Sequence, residues 1–136
     1  DLKLKHKNLD YLLKKFEINT KPKDYYLNKK EIKYLQSLGM IIGSHGESHT
    51  LLSRLPYRKQ FKELKNSKIF LEKITNKSID TFCYPYGGKI SYNNNTLKIL
   101  KKLKYKLAYS VEFRNISFKD IEQKPYELPR YDCNLF

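Results

Sequence analysis

Short apolar runs alternate with amphipathic stretches along this chain, and this alternation constrains its fold more than any other feature. Residues 40–42, 81–84 and 106–111 are predicted as strands. Helices are predicted around and between them, because Leu, Ile and Phe recur there every three or four residues. Strands that alternate with helices of about ten residues predict parallel β-α units in an α/β fold. In such units the functional groups lie at the C-terminal ends of the strands.

Capping and stop signals mark the predicted helices. Asn28 followed by Glu31 is similar to a capping box, which predicts a helix start. Gly39 is the stop signal of the same helix. A loop is expected at Lys21-Pro22, before this helix. The apolar stripes of the four predicted helices are Leu9, Leu12, Leu13 and Phe16; Ile32, Leu35 and Leu38; Phe61, Leu64, Leu71 and Ile74 after Pro56; and Leu97, Leu100 and Leu103 within 96–103.

Composition indicates a soluble globular protein. The chain has 136 residues, of which 40% are hydrophobic and 31% charged, and this is about one domain. No apolar run approaches the roughly 20 residues of a membrane-spanning helix. A cytoplasmic or membrane-peripheral location is expected. Because the first residue is Asp1 rather than Met, an upstream signal or anchor stays open.

The formal net charge of +14 would ordinarily suggest nucleic acid as a partner. The basic residues are spread over every segment and form no arginine-rich stripe, so no nucleic-acid partner is expected. A nucleic-acid-binding module stays open as an alternative, and it would require clustered Arg beside exposed aromatic residues. The two cysteines, Cys83 and Cys133, have no close spacing. They favour a reducing compartment over a zinc knuckle or a disulfide scaffold.

His45 and His49 lie four residues apart, just after the predicted strand 40–42. If both occupy the first turn of a helix, their side chains share one face and can reach a single metal ion. The alternative is a polar helix start whose histidines cap the helix or meet solvent. Pro85-Tyr86-Gly87-Gly88 has a similar ambiguity, since alone it indicates only a turn after a strand.

Taken together, these segments resemble a known family. Two segments resemble the second and third motifs of the polysaccharide deacetylases. The first runs from Gly43-Ser44-His45 through His49-Thr50-Leu51-Leu52, and the second, about 35 residues later, runs from Phe82 through Gly88. These are the NodB-homology, or family 4, carbohydrate esterases. The stretch 128–132 resembles the segment of the fourth motif, in a form associated with lipopolysaccharide and O-antigen biosynthesis. The resemblance covers residues 28–134.

The resemblance implies a distorted (β/α)7 barrel, incomplete on the N-terminal side, with residues 1–136 forming one partial domain. It makes His45 and His49 ligands of a divalent metal, most often Zn²⁺, completed by an Asp of a Thr-Phe-Asp-Asp-Gly motif. The second Asp of that motif is the general base. No Asp-Asp pair occurs in this sequence. The chain alone is therefore expected to bind metal weakly and to be a poor or inactive catalyst, with the motif upstream of Asp1.

The resemblance also assigns roles to other residues. Tyr86 is expected to stabilise the oxyanion through its backbone N–H, and Arg130 to orient the catalytic carboxylate. Tyr84, Pro85, Tyr86 and Gly87 are expected to contact the substrate, while Ser44 and Asp132 support the site from behind. Cys83 stands where many members carry an Arg. The histidine of the fifth motif has no candidate, because His6 precedes every matched motif.

The predicted function is metal-dependent hydrolysis of the N-acetyl amide of an amino sugar in a bacterial surface polysaccharide or its precursor. The expected partner is thus an N-acetylated glycan or sugar precursor. The alternative is a catalytically dead NodB-like domain that binds a glycan or a protein partner. A Thr-Phe-Asp-Asp motif in the full-length gene would favour the enzyme, and its absence would favour the binding domain.

Overall fold

The computed structural model describes residues 7, 11–16 and 26–133. The chain divides into two compact units, Asp1–Glu31 and Ile32–Phe136. Residues 11–15 are helical, in agreement with the first predicted helix, whereas His6, Leu9 and the Lys21-Pro22 loop lie outside the described residues. That residues 1–136 form one domain stays a prediction. No helix in the described part of the chain has the length and apolar character needed to cross a membrane.

Helices and strands alternate through residues 29–130, as the sequence predicted. The helices are α1 (Lys29–Ser37), α2 (Tyr57–Thr75), α3 (Asn94–Lys102) and α4 (Phe118–Gln123). The strands are β1 (Thr81–Cys83), β2 (Leu107–Val111) and β3 (Leu128–Arg130). Single 3-10 turns lie at Leu52–Arg54 and Lys89–Ser91. The predicted strands 81–84 and 106–111 and the predicted helix 96–103 are confirmed to within two residues at each end.

Side-chain caps explain where several helices begin. The Asn28 side chain accepts a hydrogen bond from the Glu31 N–H at 3.1 Å, and the Glu31 carboxylate accepts one from the Asn28 N–H at 2.7 Å, so the predicted capping box is confirmed. Asn93 and Thr96 form the same arrangement before α3. Ser117 and Asp120 form another before α4, a helix that the sequence analysis missed.

The three strands form one parallel sheet in the order β1-β2-β3. Phe82 lies opposite Ala108, and Ser110 lies opposite Pro129. On the other side of β1, Ser44 adds a single parallel bridge to Phe82. The predicted parallel β-α units are therefore confirmed, and the residues after Ser44 leave the sheet at the same edge as those after β1.

The predicted strand 40–42 is wrong. Residues 40–42 form no hydrogen-bonded ladder with β1. Pairing with β1 begins only at Ser44, two residues later, whose N–H donates to the Thr81 carbonyl at 2.9 Å. Met40 and Ile41 are 54% and 85% exposed, so their side chains gain little from burial in the described part of the chain. An apolar run predicts a strand only where a neighbouring strand and a packed layer receive it.

The main hydrophobic core lies between one face of the sheet and helices α2 and α3. Phe82 and Ala108 project from the sheet into a fully buried cluster that includes Leu64 of α2 and Ile99 and Leu100 of α3. Because side chains alternate along a strand, Cys83 and Tyr109 project from the opposite face. That face carries no part of this core.

Gly87 fixes the loop after β1 against β2. Its φ is +71°, and its carbonyl accepts a hydrogen bond from the Val111 N–H at 2.7 Å. A Cβ added at Gly87 would lie 2.3 Å from Cγ2 of Val111, too close for any rotamer to tolerate without movement. The loop therefore needs glycine for both its backbone conformation and its contact with the strand.

We expect Gly87→Ala to destabilise the chain by about 2–4 kcal/mol, because the left-handed backbone penalty adds to the overlap with Val111. Urea unfolding followed by circular dichroism measures the change in the free energy of unfolding. Gly39→Ala is a matched control for the backbone penalty alone, since Gly39 has φ +88° and no atom of the described residues lies within 4 Å of the added Cβ. Gly88→Ala, with φ −68° and open space, should be close to neutral. A Gly87→Ala cost no larger than that of Gly39→Ala would contradict the packing argument.

Candidate active site

The C-terminal ends of the parallel strands lie along one edge of the sheet, and this edge carries the predicted site residues. The bridge at Ser44 leads directly into His45, β1 leads into residues 84–88, and β3 ends at Arg130. A cleft of about 350 Å³ runs along the open face of the sheet and is lined in part by Gly43, His45, Cys83 and Tyr109. Clefts at the carboxyl ends of parallel strands are where α/β proteins usually bind ligands.

His45 is held by β1 in one tautomer. Its Nδ1 lies 2.7 Å from the carbonyl oxygen of Cys83. Because a carbonyl oxygen only accepts, Nδ1 must carry the proton, and the lone pair of the neutral ring is then on Nε2. Burial of part of the ring lowers the pKa of His45, the bond to the Cys83 carbonyl raises it, and electrostatic repulsion from the neighbouring His49 and Arg130 lowers it further. The neutral form, which can bind a metal, is thereby favoured.

His49 lies beside His45, with ring centroids 5.0 Å apart and ring planes at 61°. The expectation that both occupy the first turn of a helix is wrong, because residues 45–51 form an irregular loop before a 3-10 turn. Gly46 at φ +85° and His49 at φ +51° turn the chain where a helix would need negative φ. The two imidazoles are brought together by loop geometry instead of by helical spacing.

The loop 85–88 closes the other side of the histidine pair. The Tyr86 ring lies 4.9 Å from the His49 ring, edge to face, and is 60% exposed. Tyr86 has φ +65°, an uncommon conformation for a residue with a large side chain, which is held in place by the buried Pro85 and by Gly87. Among residues 26–133, no acceptor takes the Tyr86 backbone N–H.

Arg130 carries an unsatisfied buried donor at this edge. Its Nε is buried and has no hydrogen-bond partner among the described residues. Arg130 lies close to Gly87, because a Cβ added at Gly87 would be 3.0 Å from one terminal nitrogen of the guanidinium. It also lies close to Cys83: burial raises the pKa of the Cys83 thiol, and the positive charge of Arg130 opposes that rise. A buried guanidinium N–H without an acceptor is costly, so this position favours an anionic partner such as a carboxylate.

The donor set fits a divalent transition-metal ion in part. His45 presents Nε2 and His49 lies next to it, which supplies two imidazole ligands of the kind that zinc prefers. In the described part of the chain, no group of three His, Cys, Asp or Glu residues is close enough to hold an ion. A third protein ligand must come from elsewhere if the site is to resemble a hydrolytic zinc site.

The Tyr84 side chain, which was predicted to contact the substrate, lies in the core, whereas Ser44 and Asp132 were predicted only to support the site from behind. Tyr84 is fully buried, its ring stacks on Tyr92 at 4.1 Å and its hydroxyl donates to the Tyr126 carbonyl, so its side chain belongs to the core and cannot contact a substrate. Ser44 is adjacent to His45, but its Oγ lies 2.7 Å from Oγ of Ser67 in α2, facing the protein interior. Asp132 lies two residues beyond the end of β3.

Glu63 was not predicted as a site residue, yet its carboxylate accepts hydrogen bonds from the loop between His45 and His49. Glu63 is one of several charged residues along α2, and its spacing of 15 residues from Ser48 matches no motif. No signal in the sequence distinguishes it from a solvent-exposed helix residue.

Comparison with known protein families and structures identifies proteins that resemble this chain. The model of the polysaccharide deacetylase family matches residues 6–108. The Streptococcus pyogenes deacetylase PplD, solved in complex with acetate, is 28% identical with a TM-score of 0.73 over 81% of this chain and 46% of PplD. BC0361, a polysaccharide deacetylase from Bacillus cereus, is 26% identical with a TM-score of 0.67 over 77% of this chain and 32% of that protein. No curated protein matches the chain.

The structural matches also confirm the predicted fold class. The deacetylase domain of BpsB from Bordetella bronchiseptica shares the fold at 14% identity, with a TM-score of 0.66 over 84% of this chain and 53% of that domain. The chain spans less than half the length of PplD and about a third of BC0361, which fits the predicted incomplete NodB-type barrel. Because the family model covers 103 of its 136 residues, from 6 to 108, the chain belongs to the polysaccharide deacetylase family, the NodB-homology or family 4 carbohydrate esterases.

Proposed function

We propose that this chain contributes the metal-binding and oxyanion-binding half of a deacetylase that hydrolyses the N-acetyl amide of an amino sugar. The expected substrate is a bacterial surface polysaccharide or its precursor, including those of lipopolysaccharide biosynthesis. The observation that carries the proposal is the histidine pair, in which His45 is locked with Nε2 available and His49 lies 5.0 Å away, centroid to centroid. The family supports the reaction class, since its members act on acetylated carbohydrates.

His45 and His49 would hold a divalent metal, and zinc is an ion that imidazole ligands suit. When bound, the ion supplies a Lewis acid for the amide carbonyl and lowers the pKa of a water molecule. The protein's own share is to keep His45 neutral, chiefly through partial burial of the ring, and correctly oriented, through the Cys83 carbonyl that fixes a proton on Nδ1. Such a carbonyl partner behind a metal-binding histidine typically orients the ring.

Tyr86 and Arg130 would act on the charges that develop during hydrolysis. The Tyr86 N–H has no acceptor among residues 26–133, and the Tyr86 ring lies beside that of His49, so the N–H would donate to the oxyanion of a tetrahedral intermediate. Pro85, Tyr86 and Gly87 would border the substrate, whereas the buried Tyr84 would act only by supporting this loop. Nε of Arg130 would orient a catalytic carboxylate supplied from outside the described residues.

A second candidate is a catalytically dead domain that binds a glycan or a protein partner. One observation favours it: the described residues offer two neutral ligands and no third. The sequence also contains no Asp-Asp pair to act as ligand and base. A Thr-Phe-Asp-Asp motif in the same gene decides between the two candidates, because the enzyme requires it and the binding domain does not.

We expect the chain to bind zinc weakly, because two neutral imidazoles lack the charge and the third ligand of hydrolytic sites. Isothermal titration calorimetry should give a dissociation constant in the micromolar range or weaker, and His45→Ala or His49→Ala should each remove the remaining binding. His6→Ala is the matched control, since it deletes the third histidine of the sequence and should leave the affinity unchanged. Nanomolar affinity that survives both site substitutions would contradict the assignment of the ligands.

The chain alone should release no acetate from N-acetylglucosamine oligomers above background, because a general base typically contributes about 10²–10⁴-fold. A longer protein that contains both this chain and a Thr-Phe-Asp-Asp-Gly motif should release acetate in a zinc-dependent manner. His49→Ala in that protein should abolish release, whereas His6→Ala should not. If the longer protein, loaded with zinc, deacetylates no N-acetylated glycan or nucleotide sugar, the binding domain is the correct function.

A further inference from the structure

The carboxylate of Glu63 reaches from α2 into the loop that connects His45 and His49. Its Oε2 accepts hydrogen bonds from the backbone N–H groups of Glu47 at 3.1 Å and Ser48 at 2.9 Å. Its Oε1 accepts a third bond from the Ser48 hydroxyl at 2.7 Å. Bonds to an ionised carboxylate are stronger than those between neutral groups, and two successive N–H groups form a natural anion-binding concavity.

The loop makes two other side-chain contacts, from Asn66 Nδ2 of α2 to the Glu47 carboxylate at 2.8 Å and from the His45 ring to the Cys83 carbonyl, but its main chain has little other support. Within residues 26–133, no N–H from His45 to His49 donates to a main-chain carbonyl. Gly46 and His49 both have positive φ, so the loop holds a conformation that is unfavourable for an isolated chain. The bonds to Glu63 therefore satisfy two donors at the centre of the loop and oppose its relaxation.

Helix α2 is a rigid base for this contact. Leu64, next to Glu63, is fully buried, and its carbonyl accepts a hydrogen bond from the Tyr105 hydroxyl at 3.2 Å. Ser67, one turn further along the same face, bonds to Ser44, which immediately precedes His45. The helix thus holds the loop on both sides of His45, through Ser67 before it and Glu63 after it.

We propose that Glu63 is a positioning residue for the histidine pair, which sets the place of His49 relative to His45 by fixing residues 47 and 48. It touches neither metal nor substrate, and it acts through the backbone that carries His49. The proposal rests on the proposed function only where it concerns zinc affinity. The distance between the two rings in the zinc-free chain is independent of that function.

The first test uses the zinc-free chain. In the wild type, nuclear Overhauser effects should link the ring protons of His45 and His49, whose centroids lie 5.0 Å apart. Glu63→Ala should remove this effect and speed amide exchange at Glu47 and Ser48, while the core remains protected. Glu72→Ala is the matched control: Glu72 lies on the same helix and bonds the Ile79 N–H and Lys68, away from the histidines. A ring-to-ring effect that persists in folded Glu63→Ala would overturn the proposal.

Zinc titration is the second readout. Loss of a residue that orients a ligand typically costs 10- to 100-fold in metal affinity, and we expect that loss for Glu63→Ala and none for Glu72→Ala. If Glu63→Ala fails to fold, Glu63→Gln replaces it as the test variant, because the amide oxygen of Gln still accepts hydrogen bonds from the backbone. Glu63→Gln should lose less zinc affinity than a full removal of the carboxylate, and it should retain the ring contact between His45 and His49. Equal zinc affinity in wild type and folded Glu63→Ala would also overturn the proposal. If the wild-type chain binds zinc too weakly to titrate, the ring contact alone decides the role of Glu63, and the acetate-release test on the longer protein decides the proposed function separately.

Discussion

Parallel pairing at Ser44 and along β1, β2 and β3 is the constraint on which the site depends. Ser44 donates its N–H to the Thr81 carbonyl, accepts the Cys83 N–H through its own carbonyl and bonds Ser67 through its hydroxyl. It thereby joins the sheet to α2 at the residue that precedes His45. Because neighbouring strands run the same way, the loops that follow them share one edge, and residues far apart in sequence become neighbours.

The loops at this edge depend on contacts outside themselves. Gly87 is held by Val111 of β2, the His45 ring by the carbonyl of Cys83, and the histidine loop by Glu63 of α2. Each contact joins a loop with uncommon backbone angles to a regular element that is packed in the core. A rigid scaffold with strained loops is a frequent arrangement in binding and catalytic sites, since strain persists only where the surroundings determine it.

Much of the fold could be predicted because its signals are local. Three kinds of signal act within a few residues of the chain: the capping box of Asn28 and Glu31, the apolar stripe of α2, and the β-branched and aromatic residues of β1 and β2. The strand predicted at 40–42 failed because pairing is not local: Ile41 has no packed neighbour layer in the described residues. The helix α4 was missed although Ser117 and Asp120 form a readable capping box.

The sequence by itself determined the types of residue in the candidate site, their order and the family resemblance, because motifs are patterns along the chain. It could not determine that His45 and His49 approach through a loop, that Tyr84 turns into the core, or that Arg130 Nε has no acceptor among the described residues. Those facts depend on where β1, β3 and α2 place their side chains in space. The tautomer of His45 is the clearest case, since it is decided by a carbonyl oxygen 38 residues away.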